Sequence, residues 1–571
     1  MSVSIESKAH ERLAYCTPSW SQTDTRSIGV PTRVGDGRVI QVVACGRVAS
    51  CANSVATNSL QKRIYIAAPG TVSRLFILSM LLYVVLFVAA LCALYSFRGS
   101  RRHGLEHIPT VGYESGLLYY LSAIRYLFNA RDIIEEGYRL YPGHAFKVPM
   151  LDGWNVVLNG SNHVEDLKKV TDDNLCAFAS TREFFQFDLT LGPRVSDNRY
   201  HFSVIRTVMT RNIGPRFTDI HEAVVNAFED QLAGIGSDWA KIQAFPFHVD
   251  IISKVTSRFF VGYPLCDNAE FRSICEAATG EIFKGRALRA FPTLLRPFAS
   301  RLVTGIHSLR ARMEILLRPI IEERLDQEKR HGVDWDQKPN DLLTWLIDGA
   351  RATGEEVSVE DISSRMLFVS FGAIHTSSMT FTSALYQLCM SPSDVKILRD
   401  EAEAAVREEG WTKEALAKMV KMDSYIRESS RVHPMSLISV GRTAMSDFTF
   451  SDGLFVPKGT KICVNTHGRH FDEGLYPDPY AFDGFRFLNK DDPDSQPPAV
   501  LPTVDYHAFG YGRPACPGRF FAIVELKLMM AHLLINYDFK LQTGAYPSKL
   551  CFETIVVPSR TESILYRKRQ N

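Results

Sequence analysis

The strongest pattern in the chain is an unbroken apolar run from Leu75 to Phe97, free of charge throughout and bounded by Arg74 and Arg98. At about 1.5 Å of helical rise per residue this run is long enough for a bilayer core of about 30 Å, so a transmembrane helix is expected there. A buried core helix rarely continues beyond about 14 apolar residues without interruption. Lys62, Arg63 and Arg74 before the run balance Arg98, Arg101 and Arg102 after it, and charge bias therefore does not set its orientation. The run lies too far from Met1 for a cleaved signal peptide. Residues 1–74 are polar and aperiodic and read as a disordered extension; 98–112 read as a basic linker stiffened by Pro109. From Tyr113 onward there is no low-complexity linker and no repeat, so residues 113–571 are expected to form one domain.

Within that domain helical spacing dominates. Ile362 to Met390 is long, apolar and rich in small residues, and Asp394 to Glu409 is amphipathic behind a cap at Ser391 with Pro392 in the first turn. Trp411 to Val432 carries two shorter helical patterns. Strand signals are brief: Ser446 to Phe450, a turn at Asp452 and Gly453, then Lys461 to Asn465. A Pro- and Asp-rich stretch from Asn489 to Tyr506 is expected to be structureless. The fold class these patterns predict is mainly α with a minor antiparallel β region.

Composition narrows the function classes. Over 571 residues, 46% hydrophobic and 22% charged content exclude a wholly disordered chain, and a net charge of +2 supplies no field for nucleic acid. Eleven scattered cysteines form neither CxxC pairs nor a disulfide scaffold, which points to a reduced, cytosol-facing domain. Asn159, Gly160 and Ser161 form a glycosylation triplet, but Asn-Gly is equally a turn signal.

One cysteine stands apart. Phe509 to Gly518 reads FGYGRPACPG and runs straight into an apolar helix expected over Phe520 to Leu534. Glycines permit a tight turn and close approach to a flat ligand. A helix start directly behind Cys516 aims amides and a positive dipole end at the sulfur, which favours a thiolate, while Phe509 shields it.

This stretch resembles the haem-binding loop of cytochromes P450, with Phe509, Gly512, Cys516 and Gly518 in the motif positions. The resemblance implies a P450-like catalytic domain over 113–571, haem b as cofactor and Cys516 as axial thiolate ligand to its iron, the ligand type that promotes O–O cleavage. Pro514 stands where the family usually has a basic residue facing a haem propionate, and whether Arg513 compensates is left open. Glu428 and Arg431, three apart in DSYIRESSRVHP, resemble the family's ExxR helix. Arg486 in FDGFRF resembles the arginine that completes the network, although Gly484 replaces a frequent proline. Arg442 in SVGRTAM resembles a propionate-binding arginine, and Arg206 in HFSVIRTVMTR is a second candidate, with Phe202 in place of the usual tryptophan.

The stretch FVSFGAIHTSSMTF, with Gly372, Ala373, His375 and Thr376, resembles the family's oxygen-binding helix. The resemblance assigns oxygen activation to Thr376, whose hydroxyl can bond its own preceding turn. The usual acid is replaced by His375, a variant associated with fungal members acting on terpenoids and other secondary metabolites. Two roles stay open for it, a proton relay near neutrality and a fixing of helix geometry.

By resemblance, Phe185 to Val195, Phe371, Met435 to Ser439 and Thr554 to Val556 line an apolar distal pocket, implying a lipophilic substrate arriving from the membrane. No flavin or nicotinamide fingerprint is present. Electrons are therefore expected from NADPH through a separate cytochrome P450 reductase, with cytochrome b5 a further candidate donor, and O2 is the co-substrate. Location at the endoplasmic reticulum membrane, single-pass with a cytosolic catalytic domain, follows from the same resemblance. Two alternatives remain: a haem-thiolate isomerase or peroxide-driven enzyme, and a non-catalytic haem protein sequestering lipophiles.

Overall fold

The computed structural model describes residues 104–570 apart from 115, 355 and 490–497. The expected extension, the transmembrane run and the first part of the basic linker, residues 98–103, lie outside them. Among the described residues no helix is long and apolar enough to cross a membrane.

In chain order the elements that matter are α1 (Gly116–Leu140), β1 (Ala145–Met150), β2 (Gly153–Leu158), β3 (Leu175–Cys176), α2 (Ala244–Val261), α3 (Ala269–Lys284), α4 (Ile306–His331), α5 (Val359–Leu388), α6 (Val420–Val432), β4 (Ser439–Ala444), β5 (Lys461–Val464) and α7 (Arg519–Asn536). The helical mass packs around α5, which contacts α2, α3, α4, α6 and α7. The expected mainly helical class is what the chain adopts. The sheet differs in detail. Its order is β1-β2-β5-β4-β3, and the β2–β5 pair is parallel while the others are antiparallel. The β1–β2 hairpin had no alternating signal, because β2 is buried along its whole length and β1 nearly so. Pro149 is tolerated because β1 is a sheet edge.

Local chemistry sets α5 in place. Ser358 caps it by accepting from the Asp361 amide, and Glu360 and Asp361 suit the positive first turn. Arg365, fully buried, is held by Asp361 at 2.7 Å and donates to the carbonyls of Asn198 and Arg194. Ser391 departs from expectation: its hydroxyl meets Ser393 at 3.1 Å and makes no bond to the amides of the helix it precedes. The Asn159 amide donates to the carbonyls of Gly137 and Tyr141 and its oxygen accepts from Asn465. A buried amide nitrogen with two carbonyl partners leaves no place for a glycan.

On α7, Glu525 is fully buried, takes one hydrogen bond from Thr256 at 3.0 Å and has no partner on its other oxygen among the described residues. Burial raises its carboxyl from 4.5 to about 8, against the pull of the Thr256 and Ser377 hydroxyls. The folded chain then keeps a proton that the unfolded chain releases above 4.5, so stability falls as pH rises from 4.5 to about 8 and levels off beyond. Glu525→Gln, which mimics the neutral acid, is expected to gain on the wild type across that window by up to roughly 1.4 kcal/mol per pH unit. Denaturant unfolding of both proteins at several pH values checks this; a constant difference would show that the carboxyl is not held neutral.

Candidate functional site

The cysteine loop is built as its glycines require. Gly510 and Gly512 have φ of +74° and +72°, the left-handed region other residues avoid. A Cβ on Gly512 would stand 3.1 Å from the Cα of Lys168, so the loop also closes against a neighbouring backbone there. Gly510 N donates to His507 O at 2.9 Å and Cys516 N to Phe509 O at 2.8 Å, which curls the loop around the sulfur. Cys516 lies in the turn that leads into α7, partly exposed as a residue but with its sulfur enclosed by the loop. The Gly518 and Arg519 amides and the Arg519 charge pull its thiol down, yet burial outweighs them and raises it above the ordinary value. In so buried a place the sulfur needs a cation bonded directly to it, as a coordinated metal provides.

Behind the loop lies the charge network read from the sequence. Glu428 and Arg431 sit on α6, both fully buried, joined by two hydrogen bonds of 2.7 and 2.8 Å. Arg486 donates to the same carboxylate at 3.1 Å. The remaining guanidinium nitrogens are satisfied by carbonyls: Arg431 by His470 and Pro479, Arg486 by Pro477, Asp478 and Ala481. The connection to the loop passes through His470, which no sequence signal marked. Its ring stacks on Tyr506 at 5.6 Å, and its Nε2 accepts from the His507 amide at 3.4 Å. Neighbouring Arg427 adds a cation–π contact over Tyr506 at 4.4 Å.

The proposed propionate ligands separate. Arg442 on β4 is buried at 2% exposure, and among the described residues its Nε and Nη2 have no partner, while Nη1 donates to the Gly441 carbonyl. Burial lowers this guanidinium to about 10, with Asp172 and Cys176 opposing. An unpaired buried cation is costly enough that an anion is expected against it. Arg206 is exposed, lies on a π-helical turn and donates to the Arg513 carbonyl at 3.2 Å, so it touches the cysteine loop from outside. Arg513 is exposed too, beside Pro514.

On α5, Gly372 is exposed in mid-helix, and a Cβ placed on it would meet nothing within 4 Å. The backbone there leaves a shallow groove on the helix surface. Thr376 Oγ1 donates to Gly372 O at 2.7 Å, the back-bond anticipated for it. His375 places Nε2 3.0 Å from the Glu276 carbonyl on α3, which fixes that nitrogen as the donor. Burial, aided by the Arg560 charge, holds the ring below the ordinary histidine value.

A cavity of about 1180 Å³ opens beside α5, lined by Phe245, Phe283, His375, Met379, Ile555 and Val557 among others. Of the stretches expected to line a pocket, it includes Ile555 only. Phe185, Phe187 and Phe371 instead form an aromatic cluster behind Phe283, with Phe185–Phe371 centroids 5.0 Å apart. Contributions from α1 and α3 were missed because their lining residues belong to amphipathic helices whose apolar face reads from sequence as core.

Residues 142–566 match the family model described as Cytochrome P450. Cytochrome P450 monooxygenase 151 of Postia placenta is 39% identical, covering 82% of this chain and 94% of its own. Cytochrome P450 monooxygenase CYP512U6 of Ganoderma lucidum is 34% identical over 84% and 95%. Ent-kaurene oxidase P450-4 of Gibberella fujikuroi is 30% identical over 86% and 97%. Among solved structures, retinoic acid bound cyanobacterial CYP120A1 superposes with a TM-score of 0.62 at 19% identity, covering 81% of this chain and 99% of that one. That likeness speaks to the fold alone.

Because Glu428 serves two guanidinium groups at zero exposure, Glu428→Ala should destabilise the chain by about 3–5 kcal/mol and release the loop. The expected product is protein purified without haem; a normal haem-to-protein ratio in this variant would refute the supporting role.

Proposed function

The chain belongs to the cytochrome P450 family, an oxidoreductase lineage whose haem carries a cysteine thiolate ligand, and from that premise we propose a membrane-bound monooxygenase that hydroxylates or further oxidises a lipophilic substrate, a terpenoid or similar secondary-metabolite intermediate. The observation that carries the residue assignment is the pairing of Cys516, with two helix-start amides on its sulfur, and Arg442, a buried cation with two unused nitrogens. These residues fit haem: Cys516 would hold the iron, Arg442 a propionate, and the open Gly372 groove would admit dioxygen. Haem so held supplies the reductive activation of O2, one oxygen atom going to substrate and the other to water.

The chain's own residues do the rest. Thr376 holds its proton on Oγ1 toward the Gly372 carbonyl, leaving its oxygen lone pairs as acceptors beside the groove. His375 is neutral at pH 7 and ties α5 to α3, which supports the positioning role over the relay. The apolar cavity favours a lipophile. Leu117, Leu118, Leu121, Ile124 and Phe128 stand exposed on α1, and Leu117 also lines the cavity together with exposed Leu550 and Phe552. Such a patch at a cavity mouth suits a bilayer surface from which substrate partitions, in keeping with the apolar run at 75–97. Exposed Arg206 and Arg513 beside the cysteine loop offer a cationic face to an acidic electron donor, supporting an NADPH-dependent reductase as partner.

Ferrous protein treated with carbon monoxide should give the red-shifted Soret band of sulfur-ligated iron, abolished in Cys516→Ser, and turnover should require reductase and NADPH. Product formed without reductase would favour the isomerase or peroxide-driven reading, and tight ligand binding without electron consumption the sequestering one. Thr376→Ala should lower product formed per NADPH about tenfold or more, a loss on the order of 1.4 kcal/mol or greater. His375→Gln, which can still donate to the Glu276 carbonyl, should keep that coupling within about twofold; a collapse comparable to Thr376→Ala would reinstate the relay.

A further inference from the structure

Four cations line the substrate cavity, and three already have carboxylate partners. Lys284 bonds Glu281 at 2.7 Å, Arg286 pairs with Glu553, and Arg289 bonds Asp152 at 2.7 Å. The fourth, Arg560, has no carboxylate partner among the described residues; its guanidinium rests over the Phe245 ring at 5.4 Å. Of the acids in the lining, Asp152 and Glu553 are those just named. Glu276, whose carboxyl burial raises above the ordinary value, has Asp250 and Arg272 as its charged neighbours, and Arg560 is not among them.

Arg560 is itself exposed where it edges the chamber, and it forms there a polar corner in a largely apolar wall. Phe245 lies against both Arg560 and the His375 ring, the latter at 6.3 Å. The Arg560 charge is felt by His375. Thr279, one turn along α3 from the carbonyl that holds His375, is at 8% exposure with a hydroxyl that has no partner among the described residues. Phe283, Met379, Ile555 and Val557 supply the apolar wall. A guanidinium in such a setting discriminates by charge: a carboxylate takes two parallel hydrogen bonds from it and neutralises it, whereas an ester or a hydrocarbon end does neither.

We propose that Arg560 anchors a carboxylate of the substrate, so that the cavity selects lipophiles carrying an acid group. This deepens, and rests on, the reading of the chamber as the substrate site of a haem-thiolate oxygenase. The anchored end lies against α5 at His375, the residue next to Thr376, with the hydrocarbon body filling the rest of the chamber.

The test uses full-length haem-loaded protein in lipid nanodiscs, titrated by the shift of the Soret band with matched pairs: dodecanoic acid and its methyl ester, and a tricyclic diterpene acid and its methyl ester. For at least one pair the acid should bind about tenfold more tightly than the ester, the advantage expected of a charge-assisted anchor. Arg560→Gln should bring that ratio close to unity with ester affinity unchanged, and Arg560→Lys should retain part of the preference. The proposal is overturned if no pair favours the acid, if the preference survives in Arg560→Gln, or if acid and ester weaken together in that variant. The carbon monoxide spectrum recorded on the same preparation separates the two levels: its failure would remove the haem-thiolate reading, whereas a normal spectrum with no acid preference removes the anchor alone.

Discussion

A carboxylate held at zero exposure between two guanidinium groups is the constraint on which the site depends. Glu428 cannot be solvated, and its charge is tolerated only because Arg431 and Arg486 both reach it and every spare guanidinium nitrogen finds a carbonyl. Those carbonyls belong to His470 and to the segment 477–481, so satisfying the charge also fixes the path of the chain toward the cysteine loop. From His470 the order continues through Tyr506 and His507 to the curled backbone in which Phe509 O receives Cys516 N. A few kcal/mol stored in this cluster is a large fraction of the roughly 5–15 kcal/mol that holds a domain together. The sulfur is therefore positioned by electrostatics several residues away from it.

This dependence explains which parts of the site were legible in the sequence. Helical spacing puts Glu428 and Arg431 on one face, but the family resemblance was needed to single that pair out, whereas Cys516 is marked by glycines and a helix start that are local. Arg486 and Arg442 needed the family resemblance, since nothing local says which buried atom they meet. His470 stayed invisible because its role comes from stacking and a single amide bond across 37 residues of chain. For the thiol, the amides that favour a thiolate are local and legible, whereas the burial that opposes them is tertiary. The fold followed the same rule. Long helices such as α5 carry their own period, whereas the β1–β2 hairpin, buried nearly throughout and carrying Pro149, offers no alternation to read.

The chemistry on α5 has a structural precondition of its own. Glycine is disfavoured in a helix by about 1 kcal/mol relative to alanine, and threonine and histidine are also below average, yet Gly372, His375 and Thr376 stand within five residues of one another. The helix can carry them because its stability is secured elsewhere: by the Ser358 cap, by the buried Asp361–Arg365 bond and by contacts with five other helices. Isolated propensity matters little once one face is buried so thoroughly. That leaves the opposite face free of packing duties, and it is there that Gly372 remains exposed and the Thr376 hydroxyl is satisfied by its own helix. Because the hydroxyl leans on no other element, its position follows the backbone of α5 and is insensitive to side-chain rearrangement in the substrate chamber. His375 differs in being bound to α3 and lining the chamber at once, so it joins the chamber wall, α3 and α5 at the turn next to Thr376.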